Sequence, residues 1–333
     1  MSNRYLVTGC AGFIASKVTE MLLARGDAVV GVDNVNSAYD PRLKRWRLER
    51  LAGHAAFRFH EGDIADNEGL ERIFQSEAQQ TPSPFTAVIN LAARAGVRAS
   101  VANPWVYYEA NCIGTLNLLE LCRRFGVRKF VLASTSSLYG AHNVVPYRED
   151  ADTNRPLSPY AASKKAAETI AYTYHYLHGI DVSAVRYFTV YGPAGRPDMS
   201  VFRFVRWIAE GEPLVLFGDG QQSRDFTYVD DIARGTIAAL RPLGYEVVNL
   251  GGDRPVKMSA VIEQLAALVG RTPRLEQRPA HPADVPATWA DITKARTLLD
   301  WTPQIALEEG LRRAVAWYRE NRDFVLQLDL GAA

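Results

Sequence analysis

The chain has 333 residues, 47% hydrophobic and 23% charged, which is ordinary for a globular protein and long enough for two domains or one large domain with an appendage. Its net charge is +1 with both signs mixed along the chain, which excludes an electrostatic case for nucleic acid or a membrane surface. No uninterrupted apolar run nears the roughly 18 residues of a membrane span, and Cys10, Cys112 and Cys122 form neither a metal spacing nor an even disulfide framework.

The chain opens with "MSNRYLVTG", which enters a strand without a charged-then-apolar leader, so the expectation is a reduced, metal-free, cytoplasmic protein. After "RYLVTG" comes "CAGFIAS" and a helical stretch through Arg25. Gly9 suits the tight turn, Gly12 lets backbone approach a pyrophosphate, and Ala15 stands third, where a small side chain lets helix and strand pack closely. Alone, this pattern is only a strand-to-helix turn. "AVVGVD" then ends on Asp33, 24 residues after Gly9, where a carboxylate accepts from ribose hydroxyls. Its charge opposes a 2′-phosphate and favours NAD, although Arg42, Lys44 and Arg45 beyond it keep NADP open. A charged helix follows from about Pro41 to Leu51.

"AAFRFH", "TAVINLA", "KFVLAS" and "DVSAVRYF" are further strands with helices between them. This alternation predicts a doubly wound, Rossmann-like α/β fold on a parallel sheet covered on both faces. "LASTSSLYG" sets small hydroxyl residues at the carboxyl end of one strand, where open α/β sheets bind ligands. "PYAASKKAAE" is helical and places Tyr160 and Lys164 four residues apart, on one face. An ammonium beside a phenol lowers its pKa towards that of a usable base. The bland alternative is an exposed Tyr–Lys pair. From about Thr189 the chain becomes rich in Pro and Gly, the mark of a smaller C-terminal substrate-binding lobe. The segment "RDFTYVDDIARGTIAAL", continuing to "EVVNLGG", is expected to return to the sheet. The predicted division is 1–188 plus 226–251 for the cofactor domain and 189–225 plus 252–326 for the lobe.

In order and spacing, "TGCAGFIAS", "GDI", "NLAARAGVR", "ASTSSLYG", "YAASK", "FTVYGPAGRPDM", "RDFTYVDD" and "DVPATWAD" resemble the extended short-chain dehydrogenase/reductase (NAD-dependent epimerase/dehydratase) family. The resemblance implies bound NAD, a nucleotide-linked sugar substrate and a homodimer built from the helices around Trp105–Arg123 and Ala161–Leu177. It maps the catalytic set to Thr135, Tyr160 and Lys164. It places the cofactor against Gly9, Gly12, Phe13, Ile14, Asp33, Asn34, Asp63, Ile64, Leu91, Ala92, Ala93 and Tyr187, besides Tyr160 and Lys164. Family members that dehydrate a sugar carry Asp and Glu after the threonine, because eliminating water needs a general acid. Here those positions are Ser136 and Ser137, which leaves oxidation and re-reduction at one carbon.

Within the family the closest resemblance is to the subgroup that 4-epimerises UDP-glucuronate, carried by "FTVYGPAGRPDM". Arg196 and Thr189 would face the sugar carboxylate, to which a guanidinium fork is suited. A loop arginine paired with Asp198 is the bland reading of Arg196. Arg224 would take the diphosphate, Asp284 the uridine ribose, and Val215 and Phe217 the uracil. Ala194, where tryptophan is common, and His281 are departures from the subgroup pattern. A UDP-glucose or UDP-N-acetylglucosamine 4-epimerase, a UDP-glucuronate decarboxylase or net oxidoreductase, and a non-enzymatic NAD-binding regulator remain as alternatives.

Overall fold

Tyr5 and Val7 enter one buried cluster and Leu6 the opposite one, the period of two expected of a strand covered on both faces. The structure, a computed structural model, describes residues 3–79, 84–280 and 284–331. Its first strands are β1 (Arg4–Thr8), β2 (Ala28–Asp33), β3 (Phe57–Glu61), β4 (Ala87–Asn90), β5 (Lys129–Thr135) and β6 (Asp181–Tyr187). Then come β7 (Thr189–Tyr191), β8 (Pro213–Phe217), β9 (Ser223–Tyr228), β10 (Tyr245–Leu250), β11 (Pro255–Lys257) and β12 (Arg274–Arg278). Seven of them form one parallel sheet in the order β10-β6-β5-β4-β1-β2-β3. The doubly wound expectation holds. The chain leaves β3 at one edge and returns to β4 beside β1, so the order reverses between β1 and β4, and the crevice at their carboxyl ends is where such sheets bind ligands.

The helices are α1 (Phe13–Ala24), α2 (Pro41–Ala52), α3 (Asn67–Ala78), α4 (Val97–Ala102), α5 (Trp105–Tyr108), α6 (Gly114–Arg124) and α7 (Pro159–His178). They continue with α8 (Ser200–Glu210), α9 (Val229–Ala238), α10 (Met258–Val269), α11 (Thr293–Leu299) and α12 (Leu307–Glu320). Leu70 and Phe74 of α3, Leu118 and Leu119 of α6, and Ala167 and Ala171 of α7 cover one face of the sheet. Residues of α1, α9 and α11 cover the other. The helix expected over Trp105–Arg123 is divided by a π-helical turn, Glu109–Ile113.

The lobe has a separate core where α8, α10 and α12 meet, centred on Ile208, Val261 and Leu311. Two small sheets, β11-β9-β7 and β12-β8, belong to it. The expectation for the segment after Arg224 is half met. β10 joins the central sheet, but β9 pairs with β7 and β11, because Phe226 and Tyr228 pack on Tyr191 in the lobe core. Residues 226–228 of the expected cofactor segment therefore lie in a lobe sheet. Among the described residues no helix is long and apolar enough to cross a membrane, and all three cysteines are free.

Candidate active site

The cofactor side begins at the β1–α1 turn. Gly9 has φ +71°, its amide bonds Val32 O at 2.6 Å, and a Cβ there would stand 2.8 Å from the Ala92 backbone. A Cβ on Gly12 would stand 2.8 Å from Gly9 O. Gly9 is therefore required both by its left-handed backbone and by close approach, and Gly12 by close approach. α1 starts at Gly12 without a side-chain cap, so the amides of Phe13 and Ile14 are left for an anion. Ala15 is buried in the helix–sheet contact, where its methyl fits.

At the end of β2, Asp33 accepts from Ala11 N at 3.2 Å and Val35 N at 2.8 Å. Of the three cations that kept NADP open, Lys44 is buried with its Nζ 3.5 Å from Asp33, while Arg42 turns to Asp40. Asn34 donates to Asp63 at 2.6 Å, and Ile64 is buried against Gly114. Leu91, Ala92 and Ala93 follow β4 along the same crevice, Ala92 N bonding Thr8 Oγ1 at 3.2 Å. Free amides at a helix start, a carboxylate at the second strand and a cradle that any Cβ would fill together suit a dinucleotide. Tyr187 is different: it pairs with Thr135 across the sheet, but its hydroxyl is held 2.7 Å from Thr236 in the core and is not offered to a ligand.

Thr135 ends β5 and caps the short 3₁₀ turn Ser136–Tyr139, its Oγ1 accepting from Ser137 N at 3.1 Å and donating to Ser137 Oγ at 3.2 Å. α7 starts sharply at Ser158 and Pro159, which sets Tyr160 in its first turn opposite Thr135. Lys164 is buried one turn on and donates to Ala133 O at 2.8 Å. The expected lowering of the phenol by this ammonium is corrected here. Burial pushes Tyr160 up, while the neighbouring Thr135 hydroxyl and Arg196 guanidinium act in the opposite direction. Burial also brings Lys164 down to about 8.

Asn111, in the π turn, was not singled out from sequence. Its amide donates to Ser163 Oγ at 2.8 Å and Arg94 O at 3.0 Å and accepts from Arg94 N at 2.9 Å, while Ser163 bonds Tyr160 O at 2.8 Å. It thereby ties the first turn of α7 to the loop after β4. A buried, satisfied amide of this kind leaves no periodicity signal.

On the substrate side Thr189, Gly195 and Arg196 line one crevice with Phe13. Arg196 is gripped by Asp198 through Nε at 3.0 Å and Nη2 at 2.6 Å, so the bland pairing is present. The same guanidinium nevertheless lies close enough to Tyr160 to influence it. Arg98 was also missed. It stacks 3.8 Å over the Phe217 ring and bonds Asp284 at 2.6 Å, joining two residues expected on the nucleotide. Arg224 stands near both Arg98 and Asp284, and burial lowers it. Val215 is buried in the lobe core. Ser136 and Ser137 are partly buried beside Thr135. His281 lies outside the described residues.

Over residues 6–314 the chain matches the family described as GDP-mannose 4,6 dehydratase. It is 56% identical over 322 residues to the UDP-glucuronate 4-epimerase of Thermodesulfobacterium geofontis, across 96% of this chain and 98% of that one. Its fold superposes with a TM-score of 0.88 on the crystal structure of UDP-glucuronic acid 4-epimerase from Bacillus cereus in complex with UDP-glucuronic acid and NAD, at 36% identity, covering 95% of this chain and 99% of that one. The Thermotoga maritima UDP-glucose 4-epimerase with UDP-glucose has the same TM-score of 0.88 at 34% identity, covering 96% and 99%.

Proposed function

Because the chain belongs to the extended short-chain dehydrogenase/reductase family, in the branch described as GDP-mannose 4,6 dehydratase, we propose that it is an NAD-dependent isomerase that converts UDP-glucuronate to UDP-galacturonate at C4. The observation that carries this reading is Arg196, a guanidinium lining the crevice with Thr189 and within electrostatic reach of Tyr160; Ser136 and Ser137 stand where an eliminating enzyme needs an acid. Bound NAD takes the C4 hydride and returns it to the opposite face of the sugar. Tyr160 takes the C4 hydroxyl proton and restores it, with Thr135 holding the same oxygen. Lys164, braced on Ala133 O, would hold the nicotinamide ribose.

Oxidation at C4 puts a ketone β to the C6 carboxylate, and such acids lose carbon dioxide readily. Arg196, Thr189 and the two serines hold the carboxylate so that its bond to C5 stays out of line with the carbonyl π-system. A charge-assisted hydrogen bond of this kind contributes about 1.5–3 kcal/mol, enough to bias ring orientation. Asp198 favours the second reading, a 4-epimerase for a neutral UDP-hexose, because it already occupies one edge of the fork. Arg98, Arg224, Asp284 and Phe217 would take the UDP portion.

The test is a panel of UDP-glucuronate, UDP-glucose and UDP-N-acetylglucosamine with epimers and pentoses resolved. Epimeric uronate with little pentose and no accumulating NADH is expected. Arg196→Ala should lose uronate turnover far more than any turnover of UDP-glucose; equal losses, or a wild type that prefers the neutral sugar, would hand the function to the second reading. We further assign the enzyme to the cytoplasm, as a homodimer that supplies uronate for polysaccharide synthesis.

A further inference from the structure

α2 carries two cations on its buried face: Leu43, Lys44, Arg47 and Leu51 are all buried. Arg47 is the unusual one. Among the described residues no carboxylate lies within ion-pair distance of its guanidinium. Its donors go instead to Ala194 O (Nε at 3.2 Å, Nη2 at 2.7 Å), Gly195 O (Nη2 at 3.1 Å), Ala11 O (Nη1 at 3.0 Å) and the Tyr39 hydroxyl (Nη1 at 2.7 Å). A buried charge is tolerated only where every donor is used and the surroundings are polarisable. The rings of Tyr39 and Phe13, 5.6 and 6.0 Å away, supply the second condition.

The carbonyls it holds are not equivalent. Ala11 belongs to the Gly9–Gly12 turn of the cofactor side. Ala194 and Gly195 precede Arg196, and Ala194 sits at φ +50°, a left-handed conformation that a residue with a Cβ adopts at a cost. Tyr39, bonded to Arg47, also lies 5.9 Å from the Arg196 guanidinium. One planar fork thus spans the cofactor turn and the loop that carries the sugar-facing arginine.

We propose that Arg47 is a positioning residue that locks the 194–196 loop onto the cofactor turn and so sets where Arg196 meets the sugar carboxylate. The proposal rests on the uronate reading for its effect on substrate, but not for the tie itself. Lysine at this position keeps the charge and loses the planar fork whose separate edges meet carbonyls in two loops.

The test compares wild type with Arg47→Lys and with Tyr39→Phe, which removes a single acceptor and spares the fold. Amide hydrogen exchange without sugar should accelerate over 192–197 and 9–12 in Arg47→Lys, and less in Tyr39→Phe. The KM for UDP-glucuronate should rise about tenfold or more in Arg47→Lys, the effect of losing one charged contact, with the inhibition constant of UDP unchanged. Unchanged exchange over 192–197 in both variants overturns the proposal. So does a KM that rises together with the UDP constant, which marks a general loss of packing. Arg196→Ala is the control: if it leaves the KM for UDP-glucuronate unmoved, the uronate reading fails, and exchange alone decides the tie.

Discussion

Tyr160 is the proposed proton carrier, and its surroundings define what its removal should do. Tyr160→Phe should slow turnover about 10²–10⁴-fold, the usual worth of a general acid–base group, while leaving UDP-glucuronate binding intact by calorimetry. Near-normal turnover would remove the phenol from the mechanism. Lys164 offers a pH test. Burial lowers it to about 8 from an ordinary 10.5, so the folded protein disfavours its ammonium. The cost is complete below pH 8 and vanishes as pH rises to 10.5; at roughly 1.4 kcal/mol per unit it reaches about 3 kcal/mol. NAD-stripped Lys164→Met should accordingly exceed wild type in stability at pH 7, and the gap in urea midpoints should close towards pH 10.5. At this scale the sequence was most legible where spacing carries chemistry: Gly9 and Gly12, Asp33, and the four-residue step from Tyr160 to Lys164. It was least legible for Arg47, Arg98 and Asn111, whose partners are backbone carbonyls or residues far along the chain. For Arg47 a signal existed, since it falls between Leu43 and Leu51 on the apolar stripe of α2.

The β5–α7–β6 unit behind the site is held by a buried pair. Glu168 on α7 accepts from Arg186 of β6 through both oxygens, at 2.9 and 2.8 Å, and from Ser134, the neighbour of Thr135, at 2.6 Å. Arg186 also reaches the Tyr139 hydroxyl at 3.0 Å, and Tyr139 bonds Asn249 of β10 at 2.6 Å. Glu168→Gln would leave the Arg186 charge unmatched in the interior. It should destabilise the protein by about 3–5 kcal/mol in urea unfolding, whereas Glu168→Leu combined with Arg186→Met should recover much of the loss. A Gln variant as stable as wild type would show that the pair contributes little. Elements with clear apolar runs, β1, β2, β5, β6 and α7, could be read from the chain directly. The place of β9 could not, because Phe226 and Tyr228 alternate as a central strand would and only the lobe aromatics decide which core they join. The π turn was hidden for a related reason: its extra residue changes the register of a helix without changing its composition.

At the scale of the molecule, the outer faces of α5, the π turn, α6 and α7 expose Trp105, Ile113, Leu116, Tyr172 and Tyr176, with Trp105 76% and Tyr176 75% accessible. A contiguous apolar face on paired helices is what a second copy would cover. Light scattering at micromolar concentration should give twice the 37.0 kDa chain mass, and Trp105→Glu with Tyr176→Glu should give the single-chain mass. A wild type of single-chain mass would refute the dimer. The doubly wound plan was legible from alternation alone, but the way the two halves interleave was not, since strand order is a property of pairing and not of pattern. That interleaving has an evolutionary consequence. β7, β8 and β9 lie between β6 and β10 in the chain, yet β6 and β10 are neighbours in the central sheet. A recombination event with one crossover can therefore never transplant the smaller lobe intact onto another Rossmann-like half: it would always strand the sheet's last strand with the wrong parent. New substrate preferences in this architecture must arise by substitution within loops such as 194–196, or by the rarer exchange of an internal segment at two junctions.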